Sequence, residues 1–375
     1  MIYLDYAGSG WPRTWLGSRY AEYVAAYSAN PHGGSCFAEE CRQAIQKAER
    51  RVLRCLGLEE GEARIVWTSG CTEALNLAVQ GSIGGLDSGI VVDGGAHPAM
   101  LESCLAWRGR GGRSVQVTAL SEDGQSRLGD DFPLPALAAV SHVNHETGAK
   151  QDLARWRGVF GGQGRSRPLL LVDAAQSFGR CDIPWREAGI DLLALSGRKL
   201  GGPAAVGALV CRPEIVLQPL LHGGGQQRGV RPGTLDTVGI LLFADAAEEA
   251  CAHRAASSAQ AAGLASRLWE GLAAGGFPAW RRLSPAAGDP HIAAWSFPGY
   301  EGAVLMRMLA ERHGILIATG SACSAESGKT SHVLAAMGHD QTLARGALRV
   351  SFGWKSSHAE VEKLLQALAA ALTAY

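Results

Sequence analysis

The 375-residue chain has no excess of either charge: 35 Lys and Arg residues balance 35 Asp and Glu. It lacks the basic stripe by which a protein neutralises nucleic-acid phosphates, so nucleic acid is not an expected partner. It also lacks a long apolar run. No stretch approaches the roughly 18–20 residues of a membrane span, and the opening Met1-Ile-Tyr-Leu-Asp-Tyr6 has no basic region ahead of an apolar core. Neither a membrane association nor a signal peptide is expected. Cys-x-x-Cys pairs are missing. The nine cysteines are scattered and odd in number, which points to reduced thiols in the cytoplasm and to no metal site. Most of them read as small core residues; Cys41, for example, falls on the apolar spacing of a helix. Internal repeats and low-complexity linkers are absent too, apart from short turns at Gly81–Gly85 and Gly109–Gly112.

What the chain does contain is an alternation of short apolar strands and helical periodicities. Phe37, Cys41, Ala44, Ile45, Ala48, Val52 and Leu56 recur at helical spacing and Gly57 closes the run. Arg64–Trp67 reads as a strand that Thr68-Ser-Gly70 turns into a helix through Leu77, and Gly89–Asp93 repeats the pattern with His97 opening the next helix. Leu137–Val143, Pro168–Asp173, Leu192–Leu195 and Val206–Cys211 are further strands. This predicts an α/β fold, a mainly parallel sheet with its site at the carboxyl edge. From Thr237 to Ala273 the chain is Ala-rich and helical. Beyond it come strands at Ala293–Phe297, Gly314–Ile317 and Leu348–Phe352, a helix at Glu301–His313, and a capping box at Ser357–Glu360 that starts the last helix. The expected division is a large α/β domain over residues 13–245 and a smaller α+β domain over 246–375, with residues 1–12 packing against the smaller one.

The segment Asp191-Leu-Leu-Ala-Leu-Ser196-Gly-Arg198-Lys199 carries the most chemistry, together with Leu169-Leu-Leu-Val-Asp173-Ala-Ala-Gln176 upstream. A lysine at the end of a buried strand is expensive to desolvate unless it has a use. An acid at the end of one strand and Ser-x-Arg-Lys after the next suit pyridoxal 5'-phosphate. Lys199 would hold the cofactor as a Schiff base, Asp173 would stay ionised beside the pyridinium nitrogen, and Ser196 and Arg198 would bind the phosphate. Ser69-Gly70-Cys71-Thr72 lies where a strand turns into a helix, so free amides and the helix dipole supply the opposite phosphate wall, with the Thr72 hydroxyl as a further donor. Capping by Ser69 would use the same amides. Cys323, in Thr319-Gly-Ser-Ala-Cys-Ser324 with a polar continuation, reads as a thiol on an accessible loop where thiolate chemistry is possible.

At these residues the chain resembles the cysteine desulfurases of the NifS/IscS type, a branch of the class V aminotransferases. The resemblance runs through Tyr3-Leu-Asp-Tyr6, Trp67–Asn76, His142-Val-Asn-His-Glu-Thr-Gly148, His222–Thr234, Gly320–Cys323 and Leu348–Gly353, in order along nearly the whole chain. It implies the pyridoxal-phosphate-dependent transferase fold type I. It also implies that Gln176 donates to the phenolic oxygen of the cofactor, that His97 stacks on its ring and relays protons, and that Asn144 lies near that oxygen and the substrate. Arg349 would take the α-carboxylate of L-cysteine through its planar fork. Thr234, in the segment Arg231-Pro-Gly-Thr234, would reach the phosphate of a neighbouring subunit in a homodimer. The reaction implied converts L-cysteine to L-alanine with a persulfide on Cys323. A sulfur-acceptor protein follows, an iron–sulfur scaffold or a thiolation enzyme. A pyridoxal-phosphate lyase acting on cysteine or selenocysteine without a persulfide is the alternative enzyme, and a cofactor-binding partner in sulfur transfer the alternative of another class. Two positions depart from the resemblance: Arg198 stands where His is usual before the lysine, and Ala7-Gly-Ser-Gly10 replaces a segment of small and Thr residues.

Overall fold

A computed structural model describes residues 1–83, 89–108, 114–129, 135–161, 167–320 and 331–375. The first part of the chain runs β1 (Ile2–Tyr3), α1 (Leu16–Ala26), α2 (Cys36–Cys55), β2 (Arg64–Thr68), α3 (Cys71–Ser82), β3 (Ile90–Val92), α4 (Pro98–Arg108) and β4 (Val115–Val117). It continues through β5 (Leu137–Ser141), α5 (Leu153–Val159), β6 (Leu169–Asp173), β7 (Leu192–Ser196) and β8 (Gly207–Cys211) to α6 (Thr237–Ala252) and α7 (Arg254–Ala273). Then follow β9 (Arg281–Arg282), β10 (Ile292–Ser296), α8 (Gly302–His313), β11 (Ile315–Leu316), β12 (Ala318–Thr319), α9 (His332–Ala336), α10 (Gln341–Arg345), β13 (Ala347–Ser351) and α11 (His358–Thr373).

Seven strands form the central sheet in the order β2-β8-β7-β6-β5-β3-β4. Its middle strands are short continuous apolar runs because helices cover both faces: β5 and β8 are buried at every position. β8 runs antiparallel to both its neighbours. The reason is connectivity, since only a short turn joins β7 to β8 and a parallel return would need a crossover. The register puts Ser141 opposite Asp173, and Asp173 opposite Ala194. The polar ends of β5, β6 and β7 therefore emerge together at one edge.

α2 is capped by Ser35, whose side chain accepts from Ala38 N–H at 3.2 Å, with Glu39 in its first turn and Arg54 in its last. Its apolar stripe, from Ala38 through Val52 to Leu53, packs with the Ala-rich α6 in the core on one side of the sheet. α3 and α4 close the other side. A separate core joins Leu4 to α7, α8 and α11 and to a four-stranded antiparallel sheet, β12-β13-β10-β9. Glu360 accepts from Ser357 N–H at 2.9 Å, so the expected start of α11 is in place.

Some local expectations change. Gly81 belongs to α3 and not to a turn, because a Cβ there would lie 2.6 Å from the Gln218 carbonyl oxygen that packs against the helix. Ser82 ends α3 and Ile83 caps it, while residues 84, 85 and 109–112 of the expected glycine turns lie outside the described residues. The strand expected over Gly314–Ile317 is two short pieces: β11 pairs with β1 and β12 with β13. Cys36 is exposed, whereas Cys41, Cys104 and Cys211 are buried as core residues. α1 is not among the expected helices; none of its residues is fully buried, and its contact with the core is through the half-buried Tyr23.

Candidate active site

A cavity of about 310 Å³ opens at the carboxyl edge of the central sheet. Asp173 and Lys199 line it together with Ser69, Cys71, Thr72, His97, His145, Gln176, Ser196 and Arg198. Three strand ends and the start of α3 converge here because every one of these elements points its polar terminus to the same edge.

Lys199 leaves β7 on a 3-10 turn, Arg198–Leu200, that ends in left-handed Gly201. Its Nζ donates to the backbone oxygens of Ala7 and Gly8, both at 2.6 Å. Burial pushes its pKa down from the ordinary 10.5 to about 8, with Arg349 and Arg180 adding in the same direction. A half-buried, partly neutral amine is the form that reacts with an aldehyde. Asp173 ends β6. Its Oδ1 accepts from Ala175 N–H at 2.9 Å and from the Cys71 thiol at 3.6 Å. Burial and the Asp173 charge raise the Cys71 thiol well above its usual range, so Cys71 stays protonated and donates.

α3 begins at Gly70, with no side-chain cap on its first turn. The Ser69 N–H is instead taken by Glu73 at 2.6 Å, and Glu73 also binds Arg231 at 2.9 Å. No side-chain cap, from Ser69 or another residue, occupies the first-turn amides, and Cys71 and Thr72 of that turn line the cavity. Opposite, a Cβ at Gly207 would fall 2.3 Å from the Gly70 carbonyl carbon, which explains the glycine that starts β8. Arg198 is an exposed residue of the rim, and its Nε donates to Ser9 Oγ at 2.9 Å. Gln176 donates from Nε2 to Ala7 O at 2.8 Å and accepts from Arg180 at 3.1 Å.

His97 precedes α4. Its Nδ1 accepts from Ala99 N–H at 3.1 Å, which leaves the proton of the neutral ring on Nε2. Burial lowers its pKa. Its ring meets that of His145 edge to face, centroids 4.9 Å apart. His145 was missed by the sequence reading, which chose Asn144. The Asn144 side chain is spent on the backbone: Nδ2 donates to Gly95 O at 2.8 Å, and Oδ1 accepts from the N–H groups of Glu146 and Thr147, both at 2.9 Å. It does not line the cavity, and His145 does. The signal was present, since an Asn after a strand, with a Gly four residues on at 148, favours an Asx turn in which the side chain folds onto its own chain.

Arg349 sits in the middle of β13, 3 % exposed. It donates from Nη1 to His145 O and from Nη2 to Asp5 Oδ1, both at 2.7 Å. Thr234 is exposed and apart from the lining of this cavity. Cys323 lies outside the described residues.

The residues present fit pyridoxal phosphate. The cavity has an acid at one strand end, an amine of lowered pKa at the next, an uncapped helix start for a dianion, and an imidazole wall. Among the described residues, the buried Ser141 Oγ and His145 Nδ1 have no hydrogen-bond partner, and both belong to residues that line the cavity. Buried polar atoms without partners are rare unless something else satisfies them.

Comparison with known proteins agrees with this chemistry. The family described as Aminotransferase class-V matches residues 2–364. A cysteine desulfurase of Gluconacetobacter diazotrophicus is 33% identical over 341 residues, covering 88% of this chain and 83% of the relative. The cysteine desulfurase IscS of Pseudomonas entomophila is 32% identical, over 97% of this chain and 91% of its own. Among solved structures, a NifS-like protein superposes with a TM-score of 0.90 at 25% identity, with both chains fully covered. SspA, solved in complex with cysteine, gives 0.79 at 28% identity, covering 94% of this chain and 99% of its own. With a family model matched over residues 2–364 and relatives of 32–33% identity over most of their length, the chain belongs to the class V aminotransferase family, in its cysteine desulfurase branch.

Proposed function

We propose that this protein is a pyridoxal-phosphate-dependent cysteine desulfurase that converts L-cysteine to L-alanine and delivers the sulfur through Cys323 to an acceptor protein, an iron–sulfur scaffold or a thiolation enzyme. The observation that carries the reading is Lys199, an amine of lowered pKa on the same cavity wall as Asp173. Lys199 and Asp173 hold the ring of the cofactor, Gln176 and His97 flank it, and Cys71, Thr72, Ser196 and Arg198 receive its phosphate. When bound, pyridoxal phosphate supplies an electron sink for negative charge at the substrate Cα. Lys199 is the base at Cα, and the imidazoles of His97 and His145 move protons beside it. Arg349 orients the substrate by its carboxylate.

The Cys323 thiolate attacks the substrate sulfur. The carbon–sulfur bond breaks with its electron pair going to carbon, a proton completes the alanine methyl group, and the sulfur remains on Cys323 as a persulfide. Mass spectrometry after addition of L-cysteine should find one extra sulfur atom on Cys323 and an equivalent of alanine. Cys323→Ser should bind the cofactor and respond spectrally to L-cysteine, yet form little alanine. Near-normal alanine production by that variant would instead favour a lyase acting on cysteine or selenocysteine.

The active unit we infer is a homodimer. Arg231 is tied to α3 through Glu73, while Gln227 and Arg228 hold strained left-handed angles, φ 49° and 61°, on the exposed approach to Thr234. These features support a segment shaped to meet a second subunit. Sedimentation of a fully active monomer would exclude it. We keep the division into a larger and a smaller unit but move its boundary from residues 245/246, which lie inside α6, to the end of that helix, because Ala246, Ala247 and Ala250 belong to the core of the larger unit; the smaller unit begins with α7 and includes the N-terminal strand. A reducing cytoplasmic setting is supported by eight free thiols among the described residues. No helix among them is long and apolar enough to cross a membrane.

A further inference from the structure

Arg349 carries an unfinished hydrogen-bond fork. Nη1 is held by His145 O and Nη2 by Asp5 Oδ1, each at 2.7 Å. The Nε atom is buried and, among the described residues, has no partner. A guanidinium receives a carboxylate best along an edge that offers two parallel N–H groups. The edge formed by Nε and Nη2 is therefore half open. An incoming carboxylate that takes this edge meets the Asp5 carboxylate already bonded at Nη2.

The backbone brings Asp5 to this position. It bridges to Ser351, two residues along β13 from Arg349, and Ala7 N–H donates to Ser351 Oγ at 2.7 Å. The carboxylate folds back over its own turn, with Oδ1 accepting from Gly8 N–H at 3.2 Å. A Cβ at Gly8 would lie 2.2 Å from Asp5 Oδ2. Gly8 is not among the glycines with left-handed angles. Its lack of a side chain serves space and not backbone conformation, and the space is filled by the Asp5 carboxylate. The same turn supplies the two carbonyl oxygens that hold Lys199 Nζ.

We propose that Asp5 is a built-in competitor for the substrate carboxylate: it neutralises Arg349 while the site is empty and yields Nη2 when the amino acid enters, and Gly8 is the residue that makes room for it. A buried guanidinium left alone would be costly, which gives the contact a purpose between turnovers. The consequence is a lowered affinity for amino acids, because the Asp5 contact must be broken before the binding-competent arrangement is reached. The inference rests on the assignment of Arg349 to the substrate carboxylate.

The test uses the pyridoxal-phosphate-loaded enzyme titrated with L-alanine and followed by cofactor absorbance. Asp5→Asn keeps an acceptor for Gly8 N–H and removes the charge. Gly8→Ala keeps every charge and pushes the carboxylate aside. Both should bind L-alanine about tenfold more tightly, the factor expected when a charge-assisted hydrogen bond stops competing. The gain should fall on KM for L-cysteine and not on kcat. Unchanged or weaker binding in both variants would overturn the proposal and make Asp5 a residue that positions Arg349. Arg349→Gln separates the two readings: it should lose L-alanine binding, and normal binding there would sink the assignment of Arg349 itself. A crystal structure of the unmodified enzyme with L-alanine needs no variant. Asp5 turned away from Nη2 is the expected result, and Asp5 still bonded to it would overturn the idea.

Discussion

The two edges of the central sheet treat buried charge in opposite ways. At the amino edge, Asp191 precedes β7 and is 1 % exposed, yet it is fully satisfied. Arg157, Arg167 and Arg212 approach it at 2.7, 2.8 and 3.3 Å, and Leu170 N–H donates to it at 2.8 Å. At the carboxyl edge, Lys199 meets only carbonyl oxygens, and Arg349 Nε, His145 Nδ1 and Ser141 Oγ stay unpartnered among the described residues. Asp191 spends its hydrogen-bonding capacity on the fold. Around Lys199 several polar atoms hold capacity in reserve, at a cost in stability that only a bound group repays. Unpartnered atoms are not confined to that side, since the buried Arg64 Nε at the start of β2, level with Leu192, is one as well.

Two substitutions should break the comparison in opposite directions. Lys199→Ala removes the proposed base and cofactor anchor, so activity should fall by a factor of at least about a thousand. It also removes a partly desolvated cation, so the apoprotein should unfold in urea within about 1 kcal/mol of the original. Asp191→Ala should do the reverse. It leaves three guanidiniums facing one another over a buried gap, and stability should drop by about 3 kcal/mol. Cofactor absorbance and turnover of the protein that remains folded should be retained. A Lys199→Ala protein that collapses, or an Asp191→Ala protein that folds normally but is inactive, would remove the distinction.

The next effect is smaller and depends on pH. Lys199 is lowered from 10.5 to about 8, chiefly by burial. Only the neutral amine captures an aldehyde, so the rate at which apoprotein takes up pyridoxal phosphate should climb about tenfold from pH 6 to pH 7 and level off above about 8. The linkage has a definite sign. Between about 8 and 10.5 the unfolded chain holds this proton and the folded chain does not, so this group makes folding more favourable as pH rises through that window. Its burial cost is fully present below about 8. A capture rate still rising steeply from pH 9 to 10 would show that the lysine is not perturbed.

How much of this edge could be read beforehand depends on where a residue sits. Asp173, Ser196, Lys199 and His97 stand at the ends of short apolar runs, and a parallel sheet gathers such ends at one edge, so their meeting follows from pattern. His145 was hidden one position from the residue chosen, because turn geometry decides which of two neighbours looks inward. The part played by Asp5 was hidden by distance: its partner lies 344 residues away on β13, and only the strand register brings them together. The antiparallel β8 was equally silent, since a strand buried on both faces reads the same in either direction.

Arg198 gives the smallest and most discriminating prediction. A cation beside the lysine reads from sequence as a strong phosphate donor whose loss weakens cofactor binding about tenfold or more. Its place in the structure argues for less. The residue is exposed on the rim, where solvent screens its charge, and its Nε is already directed to Ser9 Oγ. The amides at the start of α3 are fixed by the helix itself and need no side chain to aim them. Arg198→Ala should therefore raise the cofactor dissociation constant by only about threefold, and by less at high salt, because an exposed charge acts through a screened field. Thr72→Ala should show no such salt dependence, since it removes a neutral donor. A tenfold or greater loss for Arg198→Ala that persists at high salt would mean that the guanidinium leaves Ser9 and turns fully onto the phosphate when the cofactor binds.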